Sequence, residues 1–112
     1  MSKLHVDIAQ ACLREPEVEA CGVICGSEVI PLKNASDEPE TSFVIDASDY
    51  LKYLPKIIYH SHPVGDNGFS EQDIVVASNL RLISYLYVVE ADRLERFSSE
   101  TGTTVFEKVL GR

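Results

Sequence analysis

The sequence predicts an α+β domain, with a central sheet of five to seven strands and two or three helices packed on it. Three observations support this class. The chain has 112 residues and is 45% hydrophobic, which suits one domain with a modest core. Short apolar runs of strand length alternate with longer segments of helical periodicity. No repeat or linker interrupts them, so we predict a single domain over residues 1–112.

The first third of the chain predicts a helix followed by a hairpin. Apolar residues at helical spacing predict an amphipathic helix over residues 3–14. A small, apolar run closed by glycine, residues 19–26, predicts a buried strand. A tight turn at Ser27-Glu28 leads into a second strand, residues 29–32, and Pro31 is typical of an edge strand or a bulge.

The middle of the chain alternates between loop and short elements. Residues 34–42 are polar and acidic, which predicts a surface loop. Residues 43–46 predict a short strand, and Ser48 is the expected cap of a short helix over residues 49–54. The apolar residues 56–61 then predict a buried strand.

The last third predicts one helix and three strands. Residues 70–82 have the pattern of a helix that follows a glycine-rich loop. Residues 85–89 are rich in valine and tyrosine and predict a strand. Residues 94–97 and 103–109 predict a final hairpin around Thr101-Gly102.

Charge and cysteine content narrow the class of function. Ten basic and 18 acidic residues give a net charge of −8, so we expect no nucleic-acid partner. No apolar run reaches membrane-spanning length, and Asp7 interrupts the apolar core that a signal peptide would need. Three cysteines, an odd number, favour a reducing compartment over a disulfide framework. We therefore expect a cytoplasmic protein without a membrane partner.

Two histidines and an aspartate form the candidate metal site. His60 and His62 are two residues apart at the end of a predicted strand, so both side chains point to one face. Pro63 favours extended geometry at His62. Asp73 lies near the start of the next helix and can approach both imidazoles. Two histidines and one carboxylate leave a fourth position open on tetrahedral zinc, which is typical of catalytic sites.

Ser70 and Asp73 also match a capping box, which satisfies free amides at the start of a helix. The structural and functional interpretations are compatible, because the cap would fix Asp73 in the first turn with its carboxylate near the histidines. The Ser70 hydroxyl would then lie beside the metal, where it could hold a water or stabilise an oxyanion. Asp66 and Glu71 are expected to be solvated loop and helix-surface groups.

Glu19 is the candidate general base. Zinc lowers the pKa of its water to about 7, but a proton must still reach the leaving group. Glu19 opens an apolar strand, whereas Glu15 and Glu17 lie in a charged run before it. A plain surface position remains an equal alternative for Glu19 on local sequence alone.

The other candidate ligands have simpler explanations. Cys21 and Cys25 share a face with Glu19 if the strand is regular, but buried cysteines usually act as small hydrophobic residues. His5 lies on the first helix, far along the chain from the other histidines, and is expected at a surface or interface.

The pattern His60-x-His62-Pro63, six further residues and then Ser70-x-x-Asp73, with Glu19 upstream, resembles the JAMM (MPN+) signature of the Mov34/MPN/PAD-1 zinc metalloproteases. The resemblance implies an MPN-type curved mixed sheet between helices. It also implies that His60, His62 and Asp73 bind Zn²⁺, that Glu19 is the general acid/base and that Ser70 stabilises the tetrahedral intermediate.

Over nearly its whole length the chain is most similar to the N-terminal domain of the phage tail assembly protein K family, including residues 43–50 and the ending Leu110-Gly111-Arg112. In two-domain members a similar ending leads into an NlpC-type cysteine peptidase domain. We expect either a stand-alone version or one part of such a protein. The strand at residues 19–26 is also similar to that of endosome-associated deubiquitinases, but only 39 residues follow Asp73, which leaves little room for their ubiquitin-holding insertions.

The predicted function is therefore a zinc metallopeptidase that cleaves an amide or isopeptide bond. Its expected partners are a protein or peptide substrate, phage tail proteins or an NlpC-type domain. The alternative is a structural or binding component of a phage tail, or a ubiquitin-like-protein isopeptidase, that keeps the zinc fold. A nucleoside deaminase is disfavoured because the sequence lacks a Pro-Cys-x-x-Cys ligand pair.

Overall fold

The computed structural model describes residues 2–112 and contains three helices and one six-stranded sheet. The helices are α1 (Lys3–Leu13), α2 (Ala47–Tyr53) and α3 (Glu71–Leu80). The strands are β1 (Cys21–Cys25), β2 (Glu28–Leu32), β3 (Ile57–His62), β4 (Ile83–Val88), β5 (Arg93–Ser98) and β6 (Gly102–Phe106). A 3₁₀ turn, Val89–Ala91, joins β4 to β5. The predicted α+β class, with one mixed sheet and flanking helices, is confirmed.

The sheet has the strand order β2-β1-β3-β4-β5-β6. Strands β3 and β4 are parallel and every other pair is antiparallel. A parallel pair needs a crossover connection, and α3 is that connection. The carboxyl end of β3 and the start of α3 are therefore separated only by the loop at residues 63–70, which brings the two halves of the candidate site together.

One face of the sheet packs against α1 and holds most of the core. Its helical members include Ile8 and Cys12, and its strand members include Tyr59 and Leu94, all with no more than 1% of their surface exposed. Gly22 is required here, because a Cβ at this position would lie 2.5 Å from the Tyr59 ring. Helix α1 begins after Ser2, whose side chain accepts a hydrogen bond from the His5 amide.

The opposite face packs against α2 and α3 and is less completely filled. Its buried apolar cluster consists of Val23, Ile58 and Leu82. Helix α2 has no buried residue, and α3 buries only Ala77. The candidate site lies on this less filled face.

The prediction of a strand at residues 43–46 is wrong, because this segment pairs with the Asn34 region instead of joining the sheet. The Val44 amide donates to Asn34 Oδ1 at 3.1 Å, and the Val44 carbonyl accepts from the Ala35 amide. The predicted cap is also wrong. Asp46 caps α2 and accepts from both the amide and the hydroxyl of Ser48, which lies inside the helix.

Other boundaries also differ from the predictions, including the start of β4, which is Ile83 instead of residue 85. Strand β1 begins at Cys21, so Glu19 lies just before the strand. The hairpin turn is Gly26-Ser27, where Gly26 has a φ of 64° that favours glycine. Strand β6 ends at Phe106, because the chain then turns back to the Asp92 carboxylate, which accepts from the amides of Leu110 and Arg112.

No helix among residues 2–112 has the length and apolar character that crossing a bilayer requires.

Candidate metal centre

Strand β3 presents both histidines of the motif to the same face of the sheet. His60 pairs with Cys21 of β1 on one side and Leu86 of β4 on the other, so it sits in the middle of the sheet and only 1% of it is exposed. His62 is at the last position of the strand, with 16% of its side chain exposed. The two rings lie edge to face, with 5.3 Å between their centroids.

The predicted capping box brings Asp73 to these histidines. The Ser70 hydroxyl accepts from the Asp73 amide at 3.1 Å, and Asp73 Oδ2 accepts from the Ser70 amide at 3.0 Å. The same Oδ2 atom lies 3.2 Å from His60 Nε2 and 3.5 Å from His62 Nε2. Contacts with the histidines and the Ser70 amide outweigh burial and lower the pKa of Asp73, which stays ionised.

These distances fit a zinc ion. Zinc binds histidine nitrogen and carboxylate oxygen at about 2.0–2.2 Å, so neighbouring ligand atoms of a tetrahedral site lie about 3.3 Å apart. The two Asp73–histidine distances, 3.2 and 3.5 Å, lie on either side of that value. The donor set, two imidazoles and one carboxylate, also suits Zn²⁺.

Glu19 lies beside the same histidines. Its carboxylate and one nitrogen of each of His60 and His62 are all within 4.8 Å of one another. The residue is only 7% exposed. Burial, with the Asp73 charge adding to it and His62 opposing it, raises the pKa of Glu19 to about 7. A carboxyl group with this pKa can both accept and return a proton near neutral pH.

The backbone around Glu19 is fixed by distant residues. The Ser61 hydroxyl accepts from the Ala20 amide at 2.9 Å, and the Ser61 amide donates to the Ala20 carbonyl. The Asn34 side chain donates to the Glu19 carbonyl at 2.8 Å, and the Glu19 amide donates to the Pro39 carbonyl at 2.7 Å. Glu19 is therefore anchored between β3 and the loop over residues 34–42.

A backbone carbonyl orients His62. Its Nδ1 lies 3.1 Å from the Asn67 carbonyl, which only accepts hydrogen bonds, so Nδ1 carries the proton. The Nε2 lone pair then faces Asp73 and Glu19, as a metal ligand requires. Burial opposes protonation, but contacts with Asp73 and Asn67 and the Glu19 charge raise the pKa of His62.

His60 is held mainly by packing. Its ring stacks on Phe43, with centroids 4.3 Å apart and planes 20° from parallel. Burial lowers the pKa of His60 despite its contact with Asp73, which keeps the imidazole neutral and able to bind a metal. Within residues 2–112, Nδ1 of His60 is buried without a hydrogen-bond partner, so the ring is oriented by the stacked Phe43 and by the contact of its Nε2 with Asp73.

The remaining candidates lie outside this group. Cys21 is buried, and burial raises the pKa of its thiol to about 12, as expected for a small core residue. His5 packs on Phe106 and Tyr85, both of the α1-side core. The side chains of Asp66 and Glu71 belong to exposed residues.

A cavity of about 700 Å³ opens onto the site. Glu19, His60, His62, Ser70 and Asp73 form its polar end. The rest of its wall is mainly apolar and comes from the segment before β3, from α3 and from the sheet: Phe43, Val44, Ile45, Tyr50, Leu51, Ile58, Val76, Leu80 and Leu82. Val44, Leu51 and Leu80 are each at least half exposed, so this apolar surface is open to a ligand.

Four residues that support the site were not identified from the sequence: Asn34, Phe43, Ser61 and Asn67. Each supports a residue in or beside the site through a side-chain or carbonyl contact, and such contacts leave no periodic pattern in the sequence. An asparagine followed two residues later by serine, as at Asn34, is a turn signal, and its Oδ1 does accept from the Ser36 amide. That signal gives no indication that Asn34 also reaches Glu19.

Residues 1–100 match the family described as prokaryotic homologs of the JAB domain. Among solved structures, the chain is similar to the solution structure of protein DSY2949 from Desulfitobacterium hafniense, with a TM-score of 0.63 and 21% identity over 95% of this chain and 88% of that one. At this identity the likeness concerns the fold alone. Comparison with curated proteins gives no significant match.

Proposed function

The chain belongs to the prokaryotic homologs of the JAB domain, and from this premise we propose that it is a zinc-dependent metallopeptidase that hydrolyses an amide or isopeptide bond. The observation that carries the proposal is the convergence of three elements on one point. Asp73 of α3 lies within 3.5 Å of both histidines of β3, and Glu19 approaches the same histidines from the segment before β1.

We assign His60, His62 and Asp73 as the zinc ligands. A bound Zn²⁺ would supply Lewis acidity, which lowers the pKa of water to about 7 and polarises a carbonyl. Asp73 is ionised and His60 is neutral, which are the protonation states that metal binding needs.

Glu19 is the proposed general acid/base. Its pKa of about 7 lets the carboxylate take a proton from the attacking water and return it to the leaving amine. The Ser70 hydroxyl uses its oxygen to accept from the Asp73 amide, which leaves its proton free to donate to the developing oxyanion.

The cavity beside the site favours a peptide substrate. Its apolar wall runs from the polar end along residues 43–51 and α3, where it can hold apolar side chains next to the scissile bond. The net charge of −8 disfavours an acidic substrate. We therefore propose a protein or peptide whose residues beside the cleaved bond are apolar and not acidic.

The resemblance to the tail assembly protein K family supports a role at a phage tail, in the cytoplasm of a bacterial host, with tail proteins or an NlpC-type domain as partners. The second candidate function, a binding component of the tail, draws on the same resemblance and on the exposed apolar side chains Val44, Leu51 and Leu80. Both candidates use the same cavity and differ in whether a bond is cleaved.

The decisive variant is Glu19→Gln, with Glu17→Gln as the matched control because Glu17 is exposed and two residues away. After zinc loading, each protein is tested on a library of peptides and on isopeptide-linked substrates. We expect Glu19→Gln to lose at least 100-fold in kcat while it binds one equivalent of zinc, and Glu17→Gln to match the wild type.

Full activity in zinc-loaded Glu19→Gln would contradict the assigned role of Glu19. Stoichiometric zinc with no cleavage of any substrate by the wild type would favour the binding component. Failure to bind zinc would contradict both the ligand assignment and the proposed chemistry.

A further inference from the structure

The loop after His62, residues 63–69, is held from β5 by charged side chains. We propose that Arg93 of β5 is a positioning residue that, through this loop, fixes the orientation and the tautomer of His62. The effect on zinc binding and catalysis rests on the proposed metallopeptidase function. The effect of Arg93 on the His62 imidazole does not require a metal.

The link to His62 is the Asn67 carbonyl, which accepts from His62 Nδ1 at 3.1 Å. The residues on both sides of Asn67 contact side chains of β5. Arg93 Nη2 donates to the Asp66 carbonyl at 2.5 Å. Gly68 lies against the Glu95 carboxylate so closely that a Cβ there would be 2.6 Å from Oε1. A carbonyl between two fixed neighbours has little freedom to turn away from the histidine.

Arg93 and Glu95 form one rigid unit behind the loop. Arg93 Nε donates to Glu95 Oε2 at 2.9 Å, and the two side chains are 16% and 10% exposed. The planar guanidinium makes this bond and the bond to Asp66 at once, which a lysine ammonium at the same position could not reproduce. Glu90 adds a third anchor, because its Oε1 accepts from the Gly65 amide at 2.6 Å.

As a consequence, the neutral His62 imidazole has one orientation and one tautomer. A fixed acceptor at Nδ1 keeps the proton there, so Nε2 presents its lone pair towards Asp73 and Glu19. Without Arg93 the loop backbone at Asp66 is no longer held, so Asn67 can shift and its carbonyl moves away from His62. The proton can then occupy Nε2 next to the Asp73 carboxylate, and this tautomer blocks metal binding.

The test compares Arg93→Met with Arg96→Met. Both arginines are on β5, but side chains alternate along a strand, and Arg96 lies on the α1 side near His5. Long-range ¹H–¹⁵N NMR of the metal-free proteins, at a pH above the pKa of His62, reports the tautomer of the neutral imidazole, and chelator competition with Zn²⁺ alone reports affinity. We expect Arg96→Met and the wild type to show the Nδ1–H form only. Arg93→Met should show both forms and bind zinc 10- to 100-fold more weakly.

Gly68→Ala provides a second test that keeps both charges and covers the case in which Arg93→Met fails to fold. Its methyl group would push the loop away from Glu95, and the same tautomer mixture is expected. An Nδ1–H tautomer and a zinc affinity unchanged from Arg96→Met in both variants would overturn the proposal. If the wild type does not bind zinc, the metallopeptidase function fails, and the metal-free NMR comparison still decides the role of Arg93.

Discussion

The two faces of the sheet differ in what they bury. The α1 face buries a continuous apolar cluster from Ile8 to Val109. The buried apolar cluster of the opposite face has only three members, yet this face also buries His60, Glu19 and most of Asp73. Buried ionisable groups cost stability unless they are paired, and they cluster at functional sites. The comparison indicates that one face stabilises the domain and that the other uses this stability to hold reactive groups.

The largest effect on stability should come from the α1 face. Ile8→Ala removes a side chain with no exposed surface and should cost about 2–5 kcal/mol, because the packed cluster leaves a cavity. Leu80→Ala on α3 is the matched control, and its side chain is half exposed, so it should change stability by about 0.5 kcal/mol or less. Urea denaturation measures both. Equal losses would mean that the two faces share the stabilising role.

The buried Glu19 carboxyl group should make the stability of the domain depend on pH. The pKa of Glu19 is raised from 4.5 to about 7, so the folded state binds this proton more tightly than the unfolded state does. The stability that the protonated group provides is full below pH 4.5 and is lost as the pH rises through 7. At about 1.4 kcal/mol per tenfold change in proton affinity, the loss approaches about 3 kcal/mol.

Glu19→Gln is the natural comparison, because glutamine stays neutral. Metal-free Glu19→Gln should therefore gain Tm relative to the wild type between pH 5 and pH 8, as followed by thermal unfolding. Parallel curves for the two proteins would mean that Glu19 titrates normally.

Zinc should stabilise the protein without being needed for its fold. At a concentration 100-fold above its Kd, zinc should add about 2.7 kcal/mol, with no change in the far-UV circular dichroism spectrum. The physical reason is that the apolar cluster of the α1 face forms without the ligands. Small zinc fingers, in contrast, are unfolded without metal. A metal-free protein without helical signal would contradict this division of roles, and His60→Ala, compared with its own metal-free form, should show no stabilisation by zinc.

Ser61→Ala should moderately lower both the stability of the domain and the activity of the site. The variant leaves the buried Ala20 amide without its 2.9 Å acceptor, which costs about 2 kcal/mol. It also loosens the backbone beside Glu19, so we expect a lower kcat with zinc affinity unchanged. Ser99→Ala, at an exposed turn, is the control. A loss of stability without any change in kcat would limit Ser61 to a structural role.

Local patterns predicted the elements that carry the site. The two-residue spacing of His60 and His62 requires a shared face on a strand, and the Ser70–Asp73 spacing is that of a capping box. Both features depend only on backbone geometry over a few residues, and the structure has both. The resemblance to the JAMM signature drew Glu19 into the same group, although its local sequence left a surface position equally open.

The parts that the sequence did not predict depend on long-range contacts. Residues 43–46 have the composition of a strand, but the Asn34 side chain takes up the Val44 amide, and Phe43 packs on His60 instead. Tertiary contacts commonly override strand propensity in this way. Asn67 acts through its carbonyl, which every residue type has, so its identity gives no signal.

A single oxygen atom, Oδ2 of Asp73, both accepts from the Ser70 amide and lies between the two histidines. Folding of the first turn of α3 and ion binding at the site are therefore thermodynamically linked. The factor by which the folded turn strengthens ion binding equals the factor by which a bound ion favours the folded turn. A bound partner or a chaperone that frays this turn would therefore also weaken the binding of an ion at the site.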